Sequence, residues 1–129
     1  MKLIAHETQD MIDWRQGVAT RMIVSAITGS VQLCIFEQFC APGLGAPTHL
    51  HAVEEVLTVV EGRAEIWVGH EKTIASGGHS VIIPAGARHG FRNVADTGLL
   101  HMRATLASSI FEASYDDRTE QSRRYVPPA

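Results

Sequence analysis

Four side chains of metal-ligand type stand out in the chain: His49 and His51 on either side of Leu50, then Glu55, and far downstream His89. On a strand, residues two apart point the same way and sit about 6.6 Å apart along it. His49 and His51 can therefore offer imidazole nitrogens to one ion. Glu55 shares their parity and can add a carboxylate, provided a bend brings it inward. His89 opens another β-type run, as a neighbouring or facing strand would. Three imidazoles and one carboxylate make a mixed nitrogen and oxygen site suited to Fe, Mn, Ni, Cu or Zn. In an octahedral ion such a set leaves two positions for water, dioxygen or a chelating substrate. Each piece taken alone has a plainer reading: an HxH pair as surface polarity, Glu54-Glu55 as a solvated strand edge, His89 as a satisfied histidine beside a turn.

Something must carry these side chains to one point. Glycine and proline punctuate the sequence at short intervals, and between them sit the β-type runs RMIVSAI (21–27), VQLCIFEQF (31–39), EEVLTVVEG (54–62), AEIWVG (64–69), SVIIP (80–84), HGFRNV (89–94) and LLHMRATL (99–106). Short strands at this spacing predict an all-β sandwich or barrel. Residues 10–16 are expected to form a helical turn or two, and GHEK (69–72) a hairpin turn. Gly43 and Gly45 are expected to turn the chain before the ligand strand, Gly62 to close a hairpin, Gly77-Gly78 to make a tight reversal, and Pro84 and Gly86 to turn the chain so that His89 is delivered inward. The 129 residues suggest one domain, 1–129. A net charge of -3 gives no footprint for nucleic acid or an anionic membrane. No apolar run is long enough to span a bilayer, and MKLIAHETQDM lacks the apolar stretch of a signal peptide. Cys34 and Cys40, if on one strand, lie too far apart for a disulfide; free thiols fit a cytoplasmic location.

The surroundings of the four residues carry more. The first segment reads Gly43, five residues, His49-Leu50-His51, three residues, Glu55, six residues, Gly62. The second, after a gap of 15 residues, reads Gly78, five residues, Pro84-Ala85-Gly86, two residues, His89, three residues, Asn93. These patterns resemble both motifs of the cupin superfamily at every defining position, over residues 43–93. The resemblance implies an antiparallel jelly-roll β-barrel, with His49, His51, Glu55 and His89 as ligands of one divalent transition metal. It also implies a small-molecule ligand or substrate, and a homodimer formed by exchange of N-terminal strands, to which RMIVSAI is suited.

Parity extends the reading to the pocket. Phe91 shares a face with His89 and Asn93, and is expected as a pocket wall; Val53, Leu57 and Val59 share parity with the ligands. On VQLCIFEQF either Leu33, Ile35 and Phe39 or the face with Gln38 points inward. Trp67 can pack on either face of its strand, with the core as the default, and Leu100, Met102 and Ala104 are expected inside, with His101 and Arg103 outside. Glu54 should turn away from the ion. Asn93 is expected to bond backbone near the Pro84–Gly86 turn, and the tail from Tyr115 to Ala129 to be solvated, with internal ion pairs, over the surface or onto a partner subunit. No GxSxG elbow, P-loop or dinucleotide fingerprint is present. Three functions are compatible: a metalloenzyme, with dioxygenase-like chemistry favoured over isomerase, decarboxylase or lyase chemistry; a non-catalytic small-molecule binding module; and a purely structural cupin, against which the complete ligand set argues.

Overall fold

A computed structural model describes all of residues 1–129. Thirteen strands follow in order: Met11–Arg15 (β1), Val18–Val24 (β2), Cys34–Cys40 (β3), Gly45–Leu50 (β4), Glu55–Glu61 (β5), Arg63–Val68 (β6), Glu71–Ser76 (β7), His79–Ile83 (β8), His89–Asn93 (β9), Leu100–Leu106 (β10), Phe111–Glu112 (β11), Ser114–Tyr115 (β12) and Arg123–Arg124 (β13). A six-stranded sheet runs β1-β2-β3-β10-β5-β8 and faces a five-stranded sheet, β12-β4-β9-β6-β7; β11 and β13 form a small ribbon. Every strand pair is antiparallel. This interleaved order, with β10 between β3 and β5 and β9 between β4 and β6, is the expected jelly roll.

The two-residue period decides what lies between the sheets. Leu100, Met102, Ala104 and Leu106 are buried, while His101 and Arg103 face outward. Full burial of one such large side chain is worth about 1.5–3 kcal/mol, so a one-residue slip of β10 is strongly disfavoured. On β3 the inward set is Cys34, Phe36, Gln38 and Cys40. Ile35 and Phe39 therefore face outward, and Leu33 precedes the strand and is exposed. Both cysteines are free and buried.

Several expected elements differ. Residues 11–15 are a strand, not a helical turn: β1 pairs with β2 through Met11↔Arg21 and Ile12↔Thr20, and Gly17, at φ 73°, turns the hairpin. Burial of Trp14 in the core outweighs local helix preference. The run 21–27 divides, since β2 ends at Val24 and Ala26–Thr28 form a 3-10 turn capped by Ser25, whose side chain accepts from the Ile27 amide at 3.2 Å. Gly69, at φ 58°, makes the expected hairpin between β6 and β7. Gly62 does not close a hairpin. Its neighbours β5 and β6 belong to different sheets, and its φ of 101° carries the chain across the barrel edge. Trp67 lies on the outer parity of β6, half-buried across Gly90, with its indole N–H donating to Thr48 Oγ1 at 2.9 Å.

Candidate metal centre

Each of the four candidate ligands sits at or just beyond the end of a strand. His49 lies on β4 and pairs directly with His89, the first residue of β9; a bulge between Ala46 and His49 re-aims the strand there. His51 follows the last residue of β4, and residues 52–54 bend the chain across to the other sheet, where Glu55 opens β5. The turn at Pro84–Ala87, closed by the Ala87 amide donating to Pro84 at 3.1 Å, delivers His89. Gly86 binds it to the first motif, its amide donating to the His51 carbonyl at 2.7 Å. All four side chains are buried, and their candidate ligand atoms lie within 4.8 Å of one another. Nitrogens on opposite sides of an ion at about 2.1 Å would stand ~4.2 Å apart, so only a small contraction separates this spacing from a coordination sphere. Glu54 is exposed and points away.

The orientation of the imidazoles is set by backbone carbonyls. Nδ1 lies 2.7 Å from the Pro47 carbonyl in His49, 2.6 Å from that of Glu112 in His51, and 2.8 Å from that of Ala87 in His89. A carbonyl can only accept, so each Nδ1 carries the proton and each Nε2 presents a lone pair to the interior. His89 Nε2 is 2.8 Å from Glu55 Oε1, and His51 Nε2, 3.5 Å from Glu55 Oε2, is buried without a hydrogen-bond partner. Acceptors thus converge on acceptors, which requires a cation or an extra proton between them. The donor chemistry, spacing and orphaned nitrogen together fit a divalent transition metal.

The electrostatics set the four groups apart. Burial, then repulsion from His89 and His51, pushes the His49 imidazole from 6.5 down to about 3, so it is neutral at physiological pH. For Glu55, burial works upward, but the close imidazoles of His51 and His89 outweigh it and bring the carboxyl to about 2. Burial pulls His51 down, and the carboxylate of Glu55 more than reverses this, leaving it raised.

Beside the centre lies a cavity of about 20 Å³, room for about one water. Phe91 and Leu57 form part of its wall, as expected, and the inward face of β3 contributes Phe36 and Gln38. Gln38 is held by donation to Thr20 Oγ1 at 3.0 Å. Val59 is also buried, and Val53 packs partly buried against the core. His101 points outward, stacked on Phe39 and bonded to Glu37 at 2.9 Å. Asn93 does bond backbone, at Cys40, Gly98 and Ala95, so it braces the loop after β9 and not the Pro84–Gly86 turn.

Five cavity residues escaped the sequence reading: Trp14, Arg15, Ala46, Phe111 and Tyr115. The tail is not free in solvent. Tyr115 in β12 pairs with His49 of β4, and its ring lies 5.0 Å from the His49 ring. The charged residues of the tail reach outside it, Glu120 to Arg15, Asp116 to Arg88 and Arg123 to Glu112. The legible signal was alternation: Ile12 and Trp14 before Gly17, and Phe111, Ala113 and Tyr115 after β10.

A family model for the cupin domain matches residues 36–102. The chain belongs to the cupin family. Over 46 residues, 36% of its length, this cupin is 46% identical to an uncharacterised protein of Streptomyces coelicolor, and the match spans 44% of that relative. Among solved structures it resembles KdgF from a Halomonas species (TM-score 0.70, 18% identity, 81% of this chain and 92% of the other). It also resembles the polyketide cyclase RemF from Streptomyces resistomycificus (TM-score 0.74, 16% identity, 90% and 85%). A third is the oxalate decarboxylase of Lactobacillus farciminis (TM-score 0.78, 16% identity, 88% of this chain and 35% of the other). At these identities the likeness establishes the fold. No helix of the cupin is long and apolar enough to cross a membrane.

Proposed function

We propose that this chain is a metal-dependent cupin enzyme in which His49, His51, Glu55 and His89 hold one divalent transition metal, Fe, Mn, Ni, Cu or Zn, and that it acts on a small organic molecule chelated there. The observation that carries the reading is the convergence of three imidazole nitrogens and a carboxylate on one buried point, an arrangement that needs a cation or an extra proton to hold it. Bound, the ion supplies Lewis-acid polarisation of substrate oxygens or, if redox-active, dioxygen chemistry. The protein's own contribution is positional. The carbonyls of Pro47, Glu112 and Ala87 fix the tautomers, and Phe36, Leu57, Phe91 and Phe111 give the cavity beside the centre an apolar lining with room for about one water. Dioxygenase-like chemistry is the reading favoured, by a narrow margin, over isomerase, decarboxylase or lyase chemistry, which the same three imidazoles and carboxylate would also serve.

Residues 1–129 are taken as one cupin domain working as a homodimer, and the free, buried Cys34 and Cys40 favour a reducing, cytoplasmic setting. A non-catalytic binding module, using the same barrel and metal to hold a ligand, is the second reading. Metal analysis of the purified protein, followed by oxygen-consumption assays with catechol, flavonoid, diketone and thiol substrates, separates the two. Turnover abolished in His51→Ala supports the enzyme; ligand binding without turnover under iron, manganese or nickel supports the binding module.

A further inference from the structure

We propose that Arg15 is the anchor for a carboxylate on the substrate, and that Glu120 occupies it in the closed state, so that an anionic ligand enters by exchanging with Glu120; this rests on the metal reading above. Arg15 is the one Lys or Arg among the residues lining the cavity beside the metal ligands. It also lines the outer groove along Gly43–Pro47, together with Glu120 and Asp117, and therefore stands between solvent and centre. Its Nε donates to Glu120 Oε1, Nη1 to the Gly45 carbonyl at 3.2 Å, and Nη2 to the Tyr115 hydroxyl at 3.2 Å. The Arg15 and Glu120 side chains are only 17% and 14% exposed.

The chemistry selects the ligand. A cavity of about 20 Å³ admits no organic substrate until a wall moves, and Arg15, Ala46 and Phe91 line both that cavity and the groove, with Tyr115 on the inner side of Arg15 and Glu120 on the outer. A neutral molecule displacing Glu120 would leave a half-buried guanidinium without its charge partner, which is costly. A carboxylate replaces Glu120 one for one, and guanidinium geometry suits either. Glu120 ends a short turn, its amide donating to Asp117 at 3.2 Å, so its carboxylate can swing into water.

Isothermal titration of Mn²⁺-loaded protein with the diacids from oxalate to glutarate, each against its monoamide, tests this. At least one diacid is expected to bind about tenfold or more tightly than its monoamide. Arg15→Gln should erase that preference, and Glu120→Gln, which removes the internal competitor, should raise diacid affinity severalfold. Diacid and monoamide binding alike throughout, or Glu120→Gln weakening the diacid, overturns the proposal. Metal content in every sample, and the same titrations without metal, separate the two readings. An Arg15-dependent preference in either set supports the anchor and its absence in both overturns it, whereas failure of Mn²⁺ uptake counts against the metal centre alone.

Discussion

The Nδ1 of His51 lies 2.6 Å from the backbone carbonyl of Glu112, 61 residues further along the chain. The C-terminal segment therefore orients one of the four candidate ligands, and metal affinity should depend on residues that touch no metal. Phe111, buried against Trp14 and Phe36, holds that segment in place. Phe111→Ala is expected to destabilise the fold by about 3–5 kcal/mol and to weaken metal binding by roughly 10–100-fold. Glu112→Ala should leave affinity unchanged, because its side chain makes only an exposed pair with Arg123 and its carbonyl remains. Chemical denaturation and calorimetric metal titration check both.

Glu54 and Glu55 are neighbours with opposite fates, one exposed and one 2% exposed between two imidazoles. Glu55→Gln should lower metal occupancy severely, while Glu54→Ala should keep it. Metal content of the two variants, prepared alike, reads the register of β5 directly.

The core of this result was legible in sequence because chemistry and spacing were local. His49, His51 and Glu55 fall within seven residues, and the turn residues before His89 announce its delivery. Strand length and punctuation gave a sandwich or barrel, and the resemblance of residues 43–93 to the cupin motifs implied the jelly roll. What was not legible depended on long-range partners. Met11–Arg15 is a strand because β2 pairs with it, and Trp67 lies outside because Gly90 leaves its outer face open to the indole. Arg15 and Tyr115, 100 residues apart, meet only once the C-terminal segment folds over β1 and β4.

Gly90 illustrates how closely the strand of His89 is packed. A Cβ there would stand 2.4 Å from Trp67 Cζ2 and 2.6 Å from the Ala46 carbonyl oxygen. Gly90→Ala is expected to cost about 1–3 kcal/mol by overpacking, and the double variant with Trp67→Ala to recover only part, since the backbone clash persists. Thermal and urea denaturation measure this.

Alkaline pH should weaken the fold through its thiols. Burial, helped at Cys34 by the charge of Glu55, raises both cysteines from 9.0 to about 12. Between these values the unfolded chain has lost protons that the folded chain retains, so stability falls as pH rises from about 9 toward 12. The loss is on the order of a few kcal/mol. Denaturation midpoints at pH 8 and pH 10.5 should differ accordingly, and Cys34→Ala/Cys40→Ala should flatten the difference. A thiol reagent at pH 8 should label neither cysteine until the protein unfolds.

The most direct test is metal stoichiometry combined with X-ray absorption of the loaded protein at neutral pH. The expected result is one first-row divalent ion per chain, surrounded by three imidazole nitrogens and carboxylate oxygen, with occupancy collapsing in Glu55→Gln and His89→Ala. A protein that takes up no such ion, or holds it undiminished in both variants, contradicts the account.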